Sequence, residues 1–115
     1  MNSSESRENM DLDSETLFIP TRRPFPKAEI PEVIFDEHPE WVELYWEAWR
    51  SAWRHVYESA ATPVSPYMGE GCATSRVWIW DTSLMSFFCR YAAHTFPGIE
   101  SLDNLYAIMS GAPAG

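Results

Sequence analysis

The sequence predicts an all-α fold of about three helices preceded by an extended, proline-rich arm. Three observations support this fold class. Apolar residues recur at helical spacing in three separate stretches of the chain. Four prolines fall within residues 16–37, where they disfavour a helix. No alternation of strands and helices typical of a parallel sheet is visible, and helices joined by one long and one short connection are typical of helical-hairpin arrays.

The first 37 residues divide into two segments. Residues 1–15 are polar and acidic, and we predict a disordered leader. They contain neither the basic region nor the apolar region of a secretory signal. Residues 16–37 mix prolines with apolar residues, so we expect this arm to lie on a protein surface. The apolar residues of the arm are Phe18, Ile19, Phe25, Ile30, Val33, Ile34 and Phe35.

The strongest helix is predicted over residues 39–59. Pro39 suits the first helical position, and Glu40 places an acid in the first turn, where the helix dipole favours negative charge. The apolar face is wide, so we expect this helix to pack on two sides. One apolar stripe is formed by Trp41, Leu44, Tyr45, Ala48, Ala52 and Val56, and it is widened by Trp46, Trp49, Trp53 and Tyr57.

Two shorter helices are predicted in the second half of the chain. Residues 60–76 are rich in Pro, Gly, Ser and Thr and predict a loop. A short extended segment is predicted over 77–80, followed by a helix over 82–94 that ends at the Phe-Pro-Gly turn. A third helix begins after Ser101, a favourable N-cap residue.

Length and composition limit what the chain can do. Its 115 residues form one domain at most, and 15% of them are aromatic, including six Trp. A chain of this size cannot easily bury so many rings. We therefore expect some of them to face a ligand, a partner or a further part of a larger domain, and we expect exposed apolar surface to favour self-association.

The charge distribution excludes several classes of partner. The net charge is −9, with twelve acids against four bases through Glu47 and five against four beyond it. The absence of a basic patch argues against nucleic acid and anionic membrane surfaces as partners. No apolar run approaches the roughly 18 residues of a membrane-spanning helix. The chain is thus expected to be cytoplasmic, where Cys72 and Cys89 are free thiols.

No cofactor or metal is predicted from the motifs of the chain. There is no nucleotide-binding glycine pattern. His38, His55 and His94 are scattered without the spacing of metal ligands.

The residues around Trp80 carry the clearest suggestion of chemistry. If 77–80 is extended, Trp78 and Trp80 point to one face, and Asp81 follows where the helix begins. Flat indole rings beside a carboxylate suit a pyranose sugar, whose hydroxyls donate strong hydrogen bonds to a charged acceptor. The alternatives are a helix N-cap for Asp81 and core packing for the two Trp. These alternatives are not exclusive, because one carboxylate oxygen can cap the helix while the other meets a ligand.

Three neighbouring residues are further candidates for substrate binding. Tyr67 and Glu70 lie in the loop that precedes the tryptophans, and Arg76 lies directly before them. Each has an ordinary alternative as a solvent-facing loop or surface residue. Glycoside hydrolysis needs two carboxyl groups that flank the bond. Nothing in the spacing places Asp81 at such a separation from Glu70 or Asp103, so no catalytic residue is assigned.

A family resemblance gives this segment a more specific interpretation. The run 78–106, WIWDTSLMSFFCRYAAHTFPGIESLDNLY, resembles the W-x-W-D turn near the start of six-hairpin glycosidases. These are (α/α)6-toroid glycoside hydrolases akin to the mannosylglycerate hydrolase and processing α-glucosidase group. The helical stretch PEWVELYWEAWRSAWRHV is similar to the first toroid helix. The resemblance implies that residues 16–115 are the N-terminal part of such a domain, an incomplete toroid. It also implies that Trp80 and Asp81, with Trp78 beside them, line the sugar pocket.

The resemblance implies an inverting O-glycosyl hydrolase of carbohydrate metabolism whose acid and base come from later helices. Alone, the chain is then expected to be inactive. Two alternatives remain open. One is a non-catalytic product that keeps part of a sugar pocket. The other is a small helical interaction module whose aromatic helix, residues 41–57, docks into a partner groove.

Overall fold

The computed structural model describes residues 18–71 and 77–111. Its elements in chain order are β1 (Ile19–Pro20), α1 (Pro39–Arg54), β2 (Val56–Glu58), β3 (Tyr67–Met68), α2 (Ile79–Cys89) and α3 (Gly98–Ser110). Single 3-10 turns occupy Lys27–Glu29 and Arg90–Ala92. The prediction of a mostly helical fold with three α-helices is confirmed. The predicted leader, residues 1–15, lies outside the described residues.

A small antiparallel sheet corrects the all-α prediction. Its strand order is β1-β2-β3, with Ile19 opposite Glu58 and Val56 opposite Met68. The first helix therefore ends at Arg54 and not at residue 59. Two causes act together. The β-branched and aromatic residues at 56 and 57 favour a strand, and the strands on both sides supply hydrogen-bonding partners.

The core lies on a different side of α1 from the predicted stripe. Trp46, Trp49 and Trp53 are buried, whereas Trp41 and Leu44 remain more than half exposed. The buried face meets Phe96, which is fully buried and whose ring centroid lies 4.8 Å from that of Trp49 and 5.3 Å from that of Trp53. The core is therefore an aromatic cluster between α1 and the turn that joins α2 to α3.

The proline-rich arm is held against α1. The Tyr45 hydroxyl donates to the carbonyl of Pro31 at 2.6 Å, and the Trp53 indole N–H donates to the carbonyl of Arg23 at 3.1 Å. Ile30 is buried against the core. The expectation that the arm lies on a protein surface is confirmed.

The loop between β2 and β3 is fixed by side chains of α3. The Asn104 amide accepts from the N–H of Val64 at 2.6 Å and donates to its carbonyl at 2.8 Å. The Met68 N–H donates to the Ser101 hydroxyl at 2.7 Å, and that hydroxyl donates to the carbonyl of Pro97. Because Asn104 and Ser101 are themselves buried, these bonds join the sheet to the last helix.

Close packing of α2 on α3 depends on Gly98. A Cβ at this position would lie 2.6 Å from the Cβ of Cys89 and 3.3 Å from the Cα of Ser86. Such a contact is too close for two carbon atoms, so only glycine permits this approach of the helices. The packing buries Cys89 almost completely.

Burial raises the pKa of the Cys89 thiol from 9.0 to about 12, and the charge of Glu100 contributes to the same direction. We expect folded Cys89 to react with an alkylating reagent at about pH 8 at least 100-fold more slowly than the unfolded chain, because only the thiolate reacts. Mass spectrometry of a Cys72→Ser variant measures this rate. The stability that the neutral thiol contributes is present below pH 9.0 and is lost between there and about 12.

The control for this measurement is the same variant in denaturant, where labelling should be complete. Equal labelling rates in the folded and unfolded protein would contradict the burial of Cys89.

Candidate functional site

The helix that carries the candidate site begins at Ile79, three residues earlier than predicted. Trp78 is the N-cap of α2, with φ −105° and ψ 123°, and Ile79 is the first helical residue. The N–H of Thr82 donates to the Trp78 carbonyl at 2.9 Å, and the Ser83 hydroxyl donates to the Ile79 carbonyl at 2.6 Å. The prediction that 77–80 is extended is wrong for Ile79 and Trp80.

Because the helix begins at Ile79, the side chains of Trp78 and Trp80 point in different directions. Successive helical residues are rotated by about 100°, so Trp78 and Trp80 do not share one face as the extended segment predicted. Both indoles are nevertheless exposed, by 48% at Trp78 and 75% at Trp80. The alternative that they belong to the core is therefore wrong, and the site has two separate aromatic surfaces.

Asp81 occupies the third helical position and is not the N-cap residue. The N-cap position of α2 has no side-chain hydrogen bond, so the capping alternative for Asp81 is wrong. Within residues 18–71 and 77–111, its half-buried carboxylate has no hydrogen bond or ion pair. Residues three apart on a helix are neighbours, so Asp81 lies on the side of Trp78. The first turn also favours its negative charge through the helix dipole.

Tyr67 and Glu70 lie in the interior beside the sheet. The ring of Tyr67 is almost fully buried, 5.7 Å from the rings of both Phe18 and Tyr57. Both carboxylate oxygens of Glu70 are buried and have no hydrogen-bond partner among the described residues. Tyr67 is placed as a packing residue, while Glu70 is a buried acid. The sixth candidate, Arg76, lies outside the described residues.

The two buried tyrosines have perturbed acidities. Burial raises the pKa of Tyr67 well above its ordinary value, and charges on Tyr57 and Glu70 act in the same direction. Burial also raises the pKa of Tyr57, again with a contribution from Glu70. Both hydroxyls are therefore neutral at physiological pH, which is the state expected of structural tyrosines.

An apolar trough between α1 and α2 was not predicted as a site. Its volume is about 560 Å³, and it is lined by Pro31, Tyr45, Ala48, Trp49, Phe88 and Tyr91. The sequence contained a signal for it, because Tyr45 and Ala48 lie in the apolar stripe of α1, and Phe88 and Tyr91 follow the helical spacing of α2. The stripe of α2 continues from Phe88 through Leu84 to Asp81, since Leu84 lies three residues after the acid and Phe88 lies seven residues after it.

The part of the chain that the structure describes has no group of three or more His, Cys, Asp or Glu side chains placed to hold a metal ion. Among those same residues, no helix is both long enough and apolar enough to cross a membrane. No protein-family model matches the chain, and no curated protein or solved structure matches it significantly.

Proposed function

We propose that this chain contributes the sugar-contacting turn of an O-glycosyl hydrolase of the six-hairpin type, as the N-terminal part of its helical toroid. Trp78, Trp80 and Asp81 would hold the non-reducing sugar ring. The observation that carries the proposal is the combination of a largely exposed Trp80 indole with an Asp81 carboxylate that the described fold does not use.

The chemistry of the turn supports a sugar better than a charged or purely apolar ligand. An exposed indole packs against the C–H face of a pyranose, and a carboxylate accepts hydrogen bonds from adjacent hydroxyls. In this proposal the two tasks fall on different sides of the helix, because successive helical residues are rotated by about 100°. Asp81 and Trp78 lie next to each other, so we place the hydroxyl contacts there and use Trp80 as the flanking platform.

The proposed role is binding and not bond cleavage. Hydrolysis needs one carboxyl group as acid and a second as base or nucleophile. Glu70 has both oxygens buried, and Asp103 is exposed on α3. We assign neither as a partner of Asp81, and we place the catalytic pair of the proposed enzyme in its later helices.

Replacing Asp81 by asparagine should weaken the binding of simple glycosides by about tenfold or more. A charged hydrogen-bond acceptor contributes about 1.5–3 kcal/mol, and 1.4 kcal/mol corresponds to a factor of ten. Calorimetric titration of the chain with a panel of methyl glycosides measures the change. Asparagine keeps the shape of the side chain, while it removes the charge and replaces one acceptor oxygen by a donor.

The matched control is Asp103→Asn, which removes an exposed acid from α3. It should leave glycoside binding unchanged. If the panel gives no binding to the unmodified chain, or if the Asp81 and Asp103 variants bind equally well, the sugar site is not at this turn.

Part of the support for the alternative function, a module with an aromatic docking helix, remains. Trp41 and Leu44 are exposed on α1, as a docking helix requires. However, Trp46, Trp49 and Trp53 are buried in the core, so most of the aromatic face is already used by the fold. Trp41 also stacks on His38 at 4.0 Å between ring centroids. The apolar surface of α1 that is available for docking is therefore smaller than the sequence predicted.

A further inference from the structure

Two apolar features lie side by side on one surface of the molecule. The first is the apolar trough described above. The second, here called the α2 ridge, consists of Leu84 and Phe87, which are both more than half exposed. The trough is a depression, whereas the ridge consists of side chains that project from α2 into solvent.

The exposed apolar area approaches what a stable dimer needs. Six side chains around the trough are each more than a third exposed: Trp41, Leu44, Leu84, Phe87, Phe88 and Tyr91. Four of them are aromatic, at roughly 200 Å² each when fully exposed, so the six leave on the order of 600 Å² in water. A standard interface takes about 800 Å² from each partner. The walls not yet counted, which belong to Pro31, Tyr45, Ala48 and Trp49, add to this area, so the surface approaches the standard size.

The two hydroxyl groups that line the trough have partners within the chain. The Tyr45 hydroxyl donates to the Pro31 carbonyl at 2.6 Å, and the Tyr91 hydroxyl accepts from Arg90 at 3.1 Å. Among the residues that the structure describes, the side chains that line the trough include no carboxylate, ammonium or guanidinium group. The lining itself therefore adds no buried charge, which is the main penalty for closing an interface. The Arg90 guanidinium beside Tyr91 is exposed at the edge of the trough.

The charged side chains of α1 lie away from the trough. Helical geometry places Glu43 and Arg50 on the far side of the helix from Ala48. Glu47 is paired with Arg54 at 2.8 Å and with Arg50 at 3.6 Å. Two copies that meet at the trough would thus keep these groups in water, although each copy carries a net charge of −9.

We infer that the apolar trough is the interface of a homodimer of this chain, in which the α2 ridge of one protomer lies in the trough of its partner. A two-fold axis makes this contact twice, once in each direction, and closes the assembly at two copies. The contact is apolar between two acidic chains, so salt should strengthen it by screening their repulsion.

Sedimentation equilibrium of the 115-residue chain tests the inference. The expected mass is twice the chain mass of 13.2 kDa. Raising the salt concentration from about 0.01 M to about 0.1 M shortens the screening length from about 30 Å to about 10 Å, and the dissociation constant should fall. Phe87→Glu on the ridge and Ala48→Glu in the trough should each raise that constant by about 100-fold, since each buries a charge in the contact.

The control variant is Ile34→Glu, which changes an exposed apolar residue of the arm and should leave the dimer intact. Circular dichroism of each variant checks that the helices remain. A monomer at every protein and salt concentration would overturn the inference. So would masses that grow without limit, or a dimer that survives both Phe87→Glu and Ala48→Glu.

Discussion

Replacing Phe96 by alanine should lower the free energy of unfolding by about 3–5 kcal/mol. Phe96 is fully buried, and its ring lies edge-on to both Trp49 and Trp53. Removing it leaves a cavity between the two indoles, and neither ring can fill the cavity without moving α1. Denaturant unfolding followed by tryptophan fluorescence measures the loss.

Phe35→Ala is the matched control for this substitution. Phe35 also contacts a tryptophan, with 5.2 Å between its ring centroid and that of Trp41, but it is exposed. We expect a loss of about 1 kcal/mol or less. Both variants should be compared at one protein concentration, because the proposed dimer would contribute to the apparent stability. A loss at Phe96 no larger than that at Phe35 would contradict the core described above.

Replacing Asn104 by alanine should lower the free energy of unfolding by about 2–4 kcal/mol. The amide of Asn104 satisfies both the N–H and the carbonyl of Val64, at 2.6 and 2.8 Å. Without it, two backbone groups of a partly buried loop lose their partners, and each such group costs about 1–3 kcal/mol. The same unfolding measurement applies, with hydrogen exchange of the Val64 amide as a local report.

Asn104→Asp separates the two hydrogen bonds. A carboxylate still accepts from the Val64 N–H but cannot donate to the Val64 carbonyl. We expect exchange of the Val64 amide to remain slower than in Asn104→Ala. If the aspartate and alanine variants are equally destabilised and their Val64 amides exchange equally fast, the hydrogen bond from the Val64 N–H contributes nothing to stability.

The helices were predictable because their periodic patterns are long. Sixteen residues of α1 follow one helical pattern, and Pro39 begins the helix at the predicted place. The sheet was not predictable from local sequence, because its strands are two or three residues long. Val56 falls at helical spacing from Ala52, so its β-branched side chain does not by itself decide between helix and strand, and the pairing with Met68 of β3 places it in a strand.

The side of α1 that is buried also depends on tertiary contacts. Apolar residues cover so much of its circumference that the pattern fits more than one buried face. The arm and Phe96 cover Trp49 and Trp53, and this leaves Trp41 and Leu44 exposed. At the candidate site, the sequence left open whether Trp78 and Trp80 face a ligand or the core, and it assigned them an extended backbone. The structure exposes both indoles and places Trp80 in the helix. The error concerned two residues at a helix boundary, where local patterns are least informative.

The anchoring of the β2–β3 loop to α3 has a consequence for synthesis on the ribosome. The Met68 N–H finds its acceptor at Ser101, 33 residues later, and Val64 finds Asn104 40 residues later. At about 5–20 residues per second, these partners emerge a few seconds after the loop. We expect the arm and α1 to associate first and the third strand to be fixed only when the last helix arrives. During this interval the nascent chain exposes β3 and the aromatic face that Phe96 later covers, and it is then most open to chaperones.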